Sequence, residues 1–172
     1  MMKIYDDFLG DEDFYFLQSN LLGNNFPWYN THVLHPINEK EDLDCDEIDN
    51  IQLHNWLYLD NVPRSRDFDL VRSILIHPTL KVSSVLRVKA NMNMRTPEII
   101  EHGFHTDGTS SCTAAIYYVN TNDGYTAFED GTKVESIANR LVVFNTQTKH
   151  TGTTCTNAKV RCVINFNYHY GA

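Results

Sequence analysis

From residue 82 onward the apolar residues of this chain fall into short β-branched and aromatic runs separated by turn signals. Val82 to Met94, Thr113 to Asn120, Tyr125 to Phe128, Thr132 to Val134, Arg140 to Asn145 and Val160 to Tyr170 all read as strands. Asp130-Gly131, between the third and fourth of these, is a hairpin turn signal. So many short strands at this spacing close on themselves as a sandwich or barrel.

The first 80 residues read differently. Residues 11 to 22 predict a helix: Asp11, Glu12 and Asp13 favour its N-terminus, Phe14, Leu17 and Leu21 share a face, and Gly23 ends it. Trp28 to Leu34 predicts a strand, and Ile51 to Leu59 is apolar and open between strand and helix. Pro63 to Ile76 predicts a helix with Phe68, Val71, Ile74 and Leu75 on one face, ended by Pro78. Seven acidic residues between Glu39 and Asp49 predict a solvated loop. The expected fold is therefore mainly β with N-terminal helices (α+β), built on a jelly roll, the double-stranded β-helix shared with cupins. With 172 residues the chain fits one domain. Residues 1–80 would support a β-helix core at 81–172.

Composition excludes several classes. A net charge of -8 disfavours general nucleic-acid binding, which rests on clustered Lys and Arg; the one local basic patch is Arg64, Arg66 and Arg72. Cys45, Cys112, Cys155 and Cys162 form no C-x-x-C pair, so reduced thiols are expected. The first residues lack an apolar stretch of signal-peptide type, and no apolar run approaches a membrane span. The expectation is a cytoplasmic protein.

Chemistry concentrates in His105-Thr106-Asp107, His150 and Arg161. On a strand, residues two apart share a face with Cα atoms roughly 6.5–7 Å apart, so His105 and Asp107 can reach one ion. His150, just beyond the apolar run Leu141 to Phe144, can complete a 2-His-1-carboxylate set. That set occupies one face of a six-coordinate metal and leaves positions open, as in non-heme Fe(II) oxygenases; Mn(II) and zinc also suit these donors. His32, His35, His54, His77, His102 and His169 are expected on the surface or hydrogen-bonded in the core. On the last strand Arg161, Val163, Asn165 and Asn167 share one face, and Cys162, Ile164 and Phe166 the other. The first face would be the inner wall, where a buried guanidinium needs an anionic partner. On Val82 to Met94, Arg87, Lys89, Asn91 and Asn93 form a polar stripe that faces either solvent or a pocket.

Residues 82 to 170 resemble the Fe(II)/2-oxoglutarate-dependent dioxygenases, nearest to the prolyl 4-hydroxylase type. The matching text is Gly103-Phe104-His105-Thr106-Asp107, Ile116-Tyr117-Tyr118-Val119-Asn120, Gly124-Tyr125-Thr126-Ala127-Phe128, Leu141-Val142-Val143-Phe144, His150-Thr151-Gly152 and Arg161. The resemblance implies that His105, Asp107 and His150 ligate Fe(II). It implies that Arg161 holds the distal carboxylate of 2-oxoglutarate and that Tyr118 donates its hydroxyl to the same group; a one-residue slip would put Tyr117 there. The family often has a tyrosine on the strand before H-x-D. Here Asn91, with Lys89 second, takes that place as a co-substrate contact. Met94 to His102 would be a flexible flap over the site. Fe(II), 2-oxoglutarate and dioxygen are the implied cofactors and co-substrates, with ascorbate as a stimulant and succinate and CO2 as co-products. The partners are 2-oxoglutarate and a substrate of protein or small-molecule type, a peptidyl prolyl residue among them. The alternatives are a non-catalytic metal-binding jelly roll, a small-molecule hydroxylase and a zinc hydrolase.

Overall fold

A computed structural model describes residues 2–31, 50–108 and 111–171. In chain order the elements are β1 (Lys3–Tyr5), α1 (Asp11–Leu21), β2 (Tyr29–Thr31), β3 (Gln52–Leu59), β4 (Val62–Pro63), a 3-10 turn (Arg66–Val71), α2 (Arg72–Leu75), β5 (Val82–Met94), β6 (Thr113–Tyr118), β7 (Tyr125–Phe128), β8 (Lys133–Glu135), β9 (Arg140–Asn145), β10 (His150–Gly152) and β11 (Val160–Tyr170). The strands form two sheets. The large one has the order β1-β9-β6-β11-β5-β3-β2, with β4 paired to β3, and the small one has the order β10-β7-β8. Every pairing is antiparallel. This is the expected jelly roll, its large sheet extended by strands from the N-terminal region.

Strand parity divides the interior into two layers. Ala115, Tyr117, Cys162, Ile164, Phe166, Val88 and Ala90 point to one face of the large sheet, where Leu17 and Leu21 of α1 and Ile74 of α2 cover them. Ala114, Ile116, Tyr118, Val142, Phe144 and Val163 point to the other face and meet Phe128 and Val134 of the small sheet. The first layer holds most of the buried hydrocarbon, and the hydrophobic effect at ~25 cal/mol per Å² makes it the main stabiliser. The second is smaller because the cavity occupies part of the space between the sheets. Gly23 ends α1 for a steric reason: a Cβ there would stand 2.5 Å from the Ser19 carbonyl oxygen. At the β7–β8 turn Gly131 takes φ +87°, the left-handed conformation expected of the Asp130-Gly131 pair.

The structure corrects the helix expected before Pro78 and sharpens three other local readings. The helix expected over Pro63 to Ile76 is a 3-10 turn followed by one turn of α-helix. Ser65 caps the turn by accepting from the Asp67 amide, which starts it late, and Pro78 lies just beyond its end. The ambiguous segment at Ile51 to Leu59 is strand β3, because β5 offers it a full ladder. His150 does not begin a loop; it opens β10, paired with β7. Residues 95–104 are irregular, as expected of the flap, but are tied along their length. Thr96 bonds the Cys155 carbonyl, His102 bonds the Gly152 carbonyl, and the Thr154 hydroxyl accepts from the Ile100 amide at 2.8 Å. Of the strand expected at Trp28 to Leu34, the structure describes Tyr29–Thr31. The acidic run, His32, His35 and Cys45 lie outside the described residues.

Candidate metal centre

His105 and His150 face each other across a single antiparallel bridge, each amide donating to the other's carbonyl at 3.0 Å. That places their rings 4.7 Å apart. Asp107, two residues on, is fixed by its amide bond to the Thr146 carbonyl. Its Oδ1 lies 3.9 Å from the Nε2 of each histidine. Among the described residues, these three form the group whose ligand atoms fall within 4.8 Å of one another.

The tautomers follow from the backbone. His105 Nδ1 is 3.1 Å from the Gly103 carbonyl and His150 Nδ1 is 3.0 Å from the Thr148 carbonyl. A carbonyl oxygen can only accept, so each Nδ1 carries the proton and each neutral Nε2 offers a lone pair beside Asp107. Burial pushes the His150 pKa below the ordinary histidine value, which favours the neutral, ligating form. Burial alone would raise the Asp107 pKa. Arg87, His150, the Asn167 amide and His105 outweigh it and hold the carboxyl below its usual range. Arg87 Nη2 donates to Asp107 Oδ1 at 2.7 Å, Asn167 donates to Oδ2 at 3.2 Å, and Arg87 Nε donates to Asn167 at 2.7 Å. The carboxylate is thus clamped within a triangle. Two imidazole nitrogens and one carboxylate, with no sulfur, fit Fe(II), Mn(II) or zinc.

Arg161 stands in the same cavity and is 3% exposed. Its Nε donates to Ser136 Oγ at 2.8 Å and its Nη2 to Thr126 Oγ1 at 3.1 Å. Tyr118 donates to the same Thr126 oxygen at 2.8 Å, and its ring lies 5.7 Å from the guanidinium carbon. Tyr117 turns the other way and bonds Asn139. No carboxylate of the described residues lies within 4.0 Å of Arg161. A buried guanidinium held only by hydroxyls is electrostatically incomplete, and a planar anion supplied from outside would complete it. Two glycines admit the side chain: a Cβ on Gly124 would meet Arg161 Cδ at 2.6 Å, and one on Gly152 would meet Nη1 at 3.4 Å.

The polar stripe of β5 lines the same cavity, which has a volume of about 550 Å³. Register sets its order along the wall: Asn93 lies opposite Arg161, Asn91 opposite Val163, Lys89 opposite Asn165 and Arg87 opposite Asn167. Asn91 Oδ1 is buried and without a partner. His102 also lines the cavity, but its Nε2 meets Asn50 and it stands outside the metal-ligating group. Sequence reasoning assigned no role to Arg87, Asn167, Thr126, Ser136 or Trp56. Asn167 already stood on the face read as the inner wall, and Arg87 on a polar stripe left open between solvent and a pocket. Nothing in the sequence pointed to Thr126 or Ser136 as the seats of Arg161.

The chain matches no protein-family model and no curated protein. It is similar in fold to solved 2-oxoglutarate oxygenase structures. A prolyl-4-hydroxylase from Pseudomonas putida covers 99% of this chain, with 93% of its own length, at 14% identity and a TM-score of 0.51. A prolyl hydroxylase from Trichoplax adhaerens, solved with a peptide of the hypoxia inducible factor oxygen degradation domain, covers 98% and 83% at 13% identity and 0.60. HygX from Streptomyces hygroscopicus, solved with nickel and 2-oxoglutarate, covers 98% and 82% at 10% identity and 0.62. The chain therefore has the fold of the 2-oxoglutarate Fe(II) oxygenases, of prolyl-hydroxylase type.

Proposed function

We propose that this single domain is an Fe(II)- and 2-oxoglutarate-dependent dioxygenase that hydroxylates a second substrate. The observation that carries this reading is Arg161: a buried cation with no acid beside it among the described residues, in the cavity that also holds the His105, Asp107, His150 group. A structural metal site or a zinc hydrolase gives that guanidinium no task.

In this reading His105, Asp107 and His150 hold the iron. The iron with bound 2-oxoglutarate would supply dioxygen activation, one oxygen atom entering the substrate and the other leaving in succinate as CO2 departs. Arg161 binds the distal carboxylate of the co-substrate. Thr126 and Ser136 fix the guanidinium plane, and Tyr118 holds Thr126 through its hydroxyl. Asn91 presents an unpaired amide oxygen to the same cavity. Arg87 and Asn167 keep the Asp107 carboxylate turned toward the histidines. The deep setting of Arg161 and His150 excludes water from the co-substrate. Free Cys112, Cys155 and Cys162 and a ferrous ion both suit a reducing compartment, so we place the protein in the cytoplasm. No helix among the described residues is long and apolar enough to cross a membrane.

The test is succinate formation from 2-oxoglutarate with Fe(II) and ascorbate, in the wild type and in His105→Ala and Asp107→Ala. Turnover is expected to be iron-dependent and abolished in both variants. Undiminished turnover in either would overturn the ligand assignment. No succinate from the wild type, with metal still bound, would favour a non-catalytic metal module.

A further inference from the structure

Lys89 is a second cation in the cavity that forms no ion pair among the described residues. Among the described residues it has no carboxylate within 4.0 Å, and its ammonium lies 4.9 Å from the Trp56 ring. Its neighbours across the sheet are Trp56 on β3 and Asn165 on β11. Around it the hydrogen bonding is unfinished. Five buried side-chain polar atoms of the described residues lack a partner, and four of them stand on this face: His54 Nδ1, Asn91 Oδ1, Asn93 Nδ2 and Asn165 Oδ1. Buried polar groups are ordinarily paired, so a cluster of unpaired ones marks where a polar ligand sits.

Charge sharpens the identity of that ligand. The described cavity wall carries Arg87, Lys89 and Arg161 against Asp107, an excess of positive charge in a chain whose net charge is -8. A divalent metal and the 2-oxoglutarate dianion cancel each other and leave this excess unchanged. Arg87 is paired with Asp107 and one carboxylate of the co-substrate would meet Arg161, so of the three side-chain cations Lys89 is the one given no anionic partner. It lies four residues along β5 from Asn93, the residue opposite Arg161, or roughly 13 Å, and next to the row of Arg87 and Asp107. That is the metal end of the cavity, where a substrate must approach.

We propose that the oxidised substrate is a polar molecule bearing a carboxylate or phosphate, which Lys89 binds from its seat on Trp56 while Asn91 and Asn165 accept hydrogen bonds from it. The inference rests on the dioxygenase reading and narrows it. A prolyl ring in a neutral peptide does not offer the negative charge that Lys89 requires.

The test uses the full chain loaded with Ni(II) and 2-oxoglutarate. Co-substrate affinity is measured first, by calorimetry. The loaded protein is then titrated with acetate and, separately, with inorganic phosphate. At least one probe is expected to bind saturably in the millimolar range; which one does so identifies the anion. Lys89→Met is expected to weaken that probe by about tenfold or more while leaving 2-oxoglutarate affinity unchanged. Lys89→Arg should retain binding, and Lys81→Met, which removes a surface lysine over Tyr170, should not affect it. Equal probe binding in Lys89→Met overturns the inference, as does no saturable binding by the wild type. A loss of 2-oxoglutarate affinity alone in Lys89→Met also overturns it and gives Lys89 to the co-substrate. Failure of 2-oxoglutarate to bind the wild type is a distinct result: it overturns the dioxygenase reading, and this inference falls with it.

Discussion

Gly124 shows how closely single residues govern the seat of Arg161. Its missing Cβ leaves room for the Arg161 side chain and for the Thr154 carbonyl oxygen, which would stand 2.5 Å from an added methyl. One neighbour is backbone and the other a buried, hydrogen-bonded stem, so neither can move cheaply. Gly124→Ala is expected to destabilise the protein by about 1–3 kcal/mol. It should also weaken 2-oxoglutarate binding, because Arg161 would leave Thr126 and Ser136. Denaturant melts and co-substrate titration check the two effects. Gly108→Ala is the control, since a Cβ there meets nothing within 4 Å.

At the scale of elements, one hydroxyl makes two of the bonds that tie down the segment 95–104. Thr154 Oγ1 accepts from the Ile100 amide and pairs with Thr96 Oγ1 at 2.6 Å, and Thr154 is fully buried. Thr154→Val keeps the shape and leaves the amide unpaired, at a cost of roughly 1–3 kcal/mol. Protease cleavage within 95–104 is expected to rise before global unfolding does; unchanged cleavage would show that other bonds hold the segment. This contact also illustrates what sequence reading could reach. β5 and β11 were legible to the residue through long period-2 patterns and β9 through its short, dense apolar run, and the same parity separated Arg161 and Asn167 from Cys162 and Phe166. β1 and β10 were not, because three residues carry no periodicity and exist as strands only through their partners. The helix before Pro78 was overcalled because Phe68, Val71, Ile74 and Leu75 keep a helical spacing that a 3-10 turn nearly reproduces. The metal-ligand group was legible as residue types, but the bridge that sets His105 against His150 joins residues 45 apart and has no local signature.

Across the whole molecule, the two ends of the described chain are drawn into one sheet. β1 pairs with β9, and Arg140 fixes that edge by donating to both carboxylate oxygens of Asp6, at 2.6 and 3.1 Å. The hydrogen bond with Arg140 holds the Asp6 pKa below 3.8. A depressed carboxylate pKa contributes stability that is fully present above about pH 4 and is lost as pH falls through the folded value. Asp6→Asn should therefore melt earlier than the wild type at pH 7, and the two curves should converge once the pH has fallen below the folded value of Asp6. A difference that persists there would mean that the tie acts through packing, not charge. The contribution is small, because Asp6 is largely exposed to solvent.

The large sheet has a different duty on each face. One carries the main apolar core under α1 and α2; the other carries Lys89, Asn91, Asn165 and the residues around the metal centre. Because neighbours along a strand alternate between these faces, the residues that line the cavity are interleaved with those that hold the main core. Under the proposed reading, substrate preference can drift by replacement at Lys89, Asn91 and Asn165 while the intervening positions keep the protein folded. Such a chain can acquire a new substrate without first becoming unstable, and relatives sharing its architecture can diverge in sequence most where their chemistry differs.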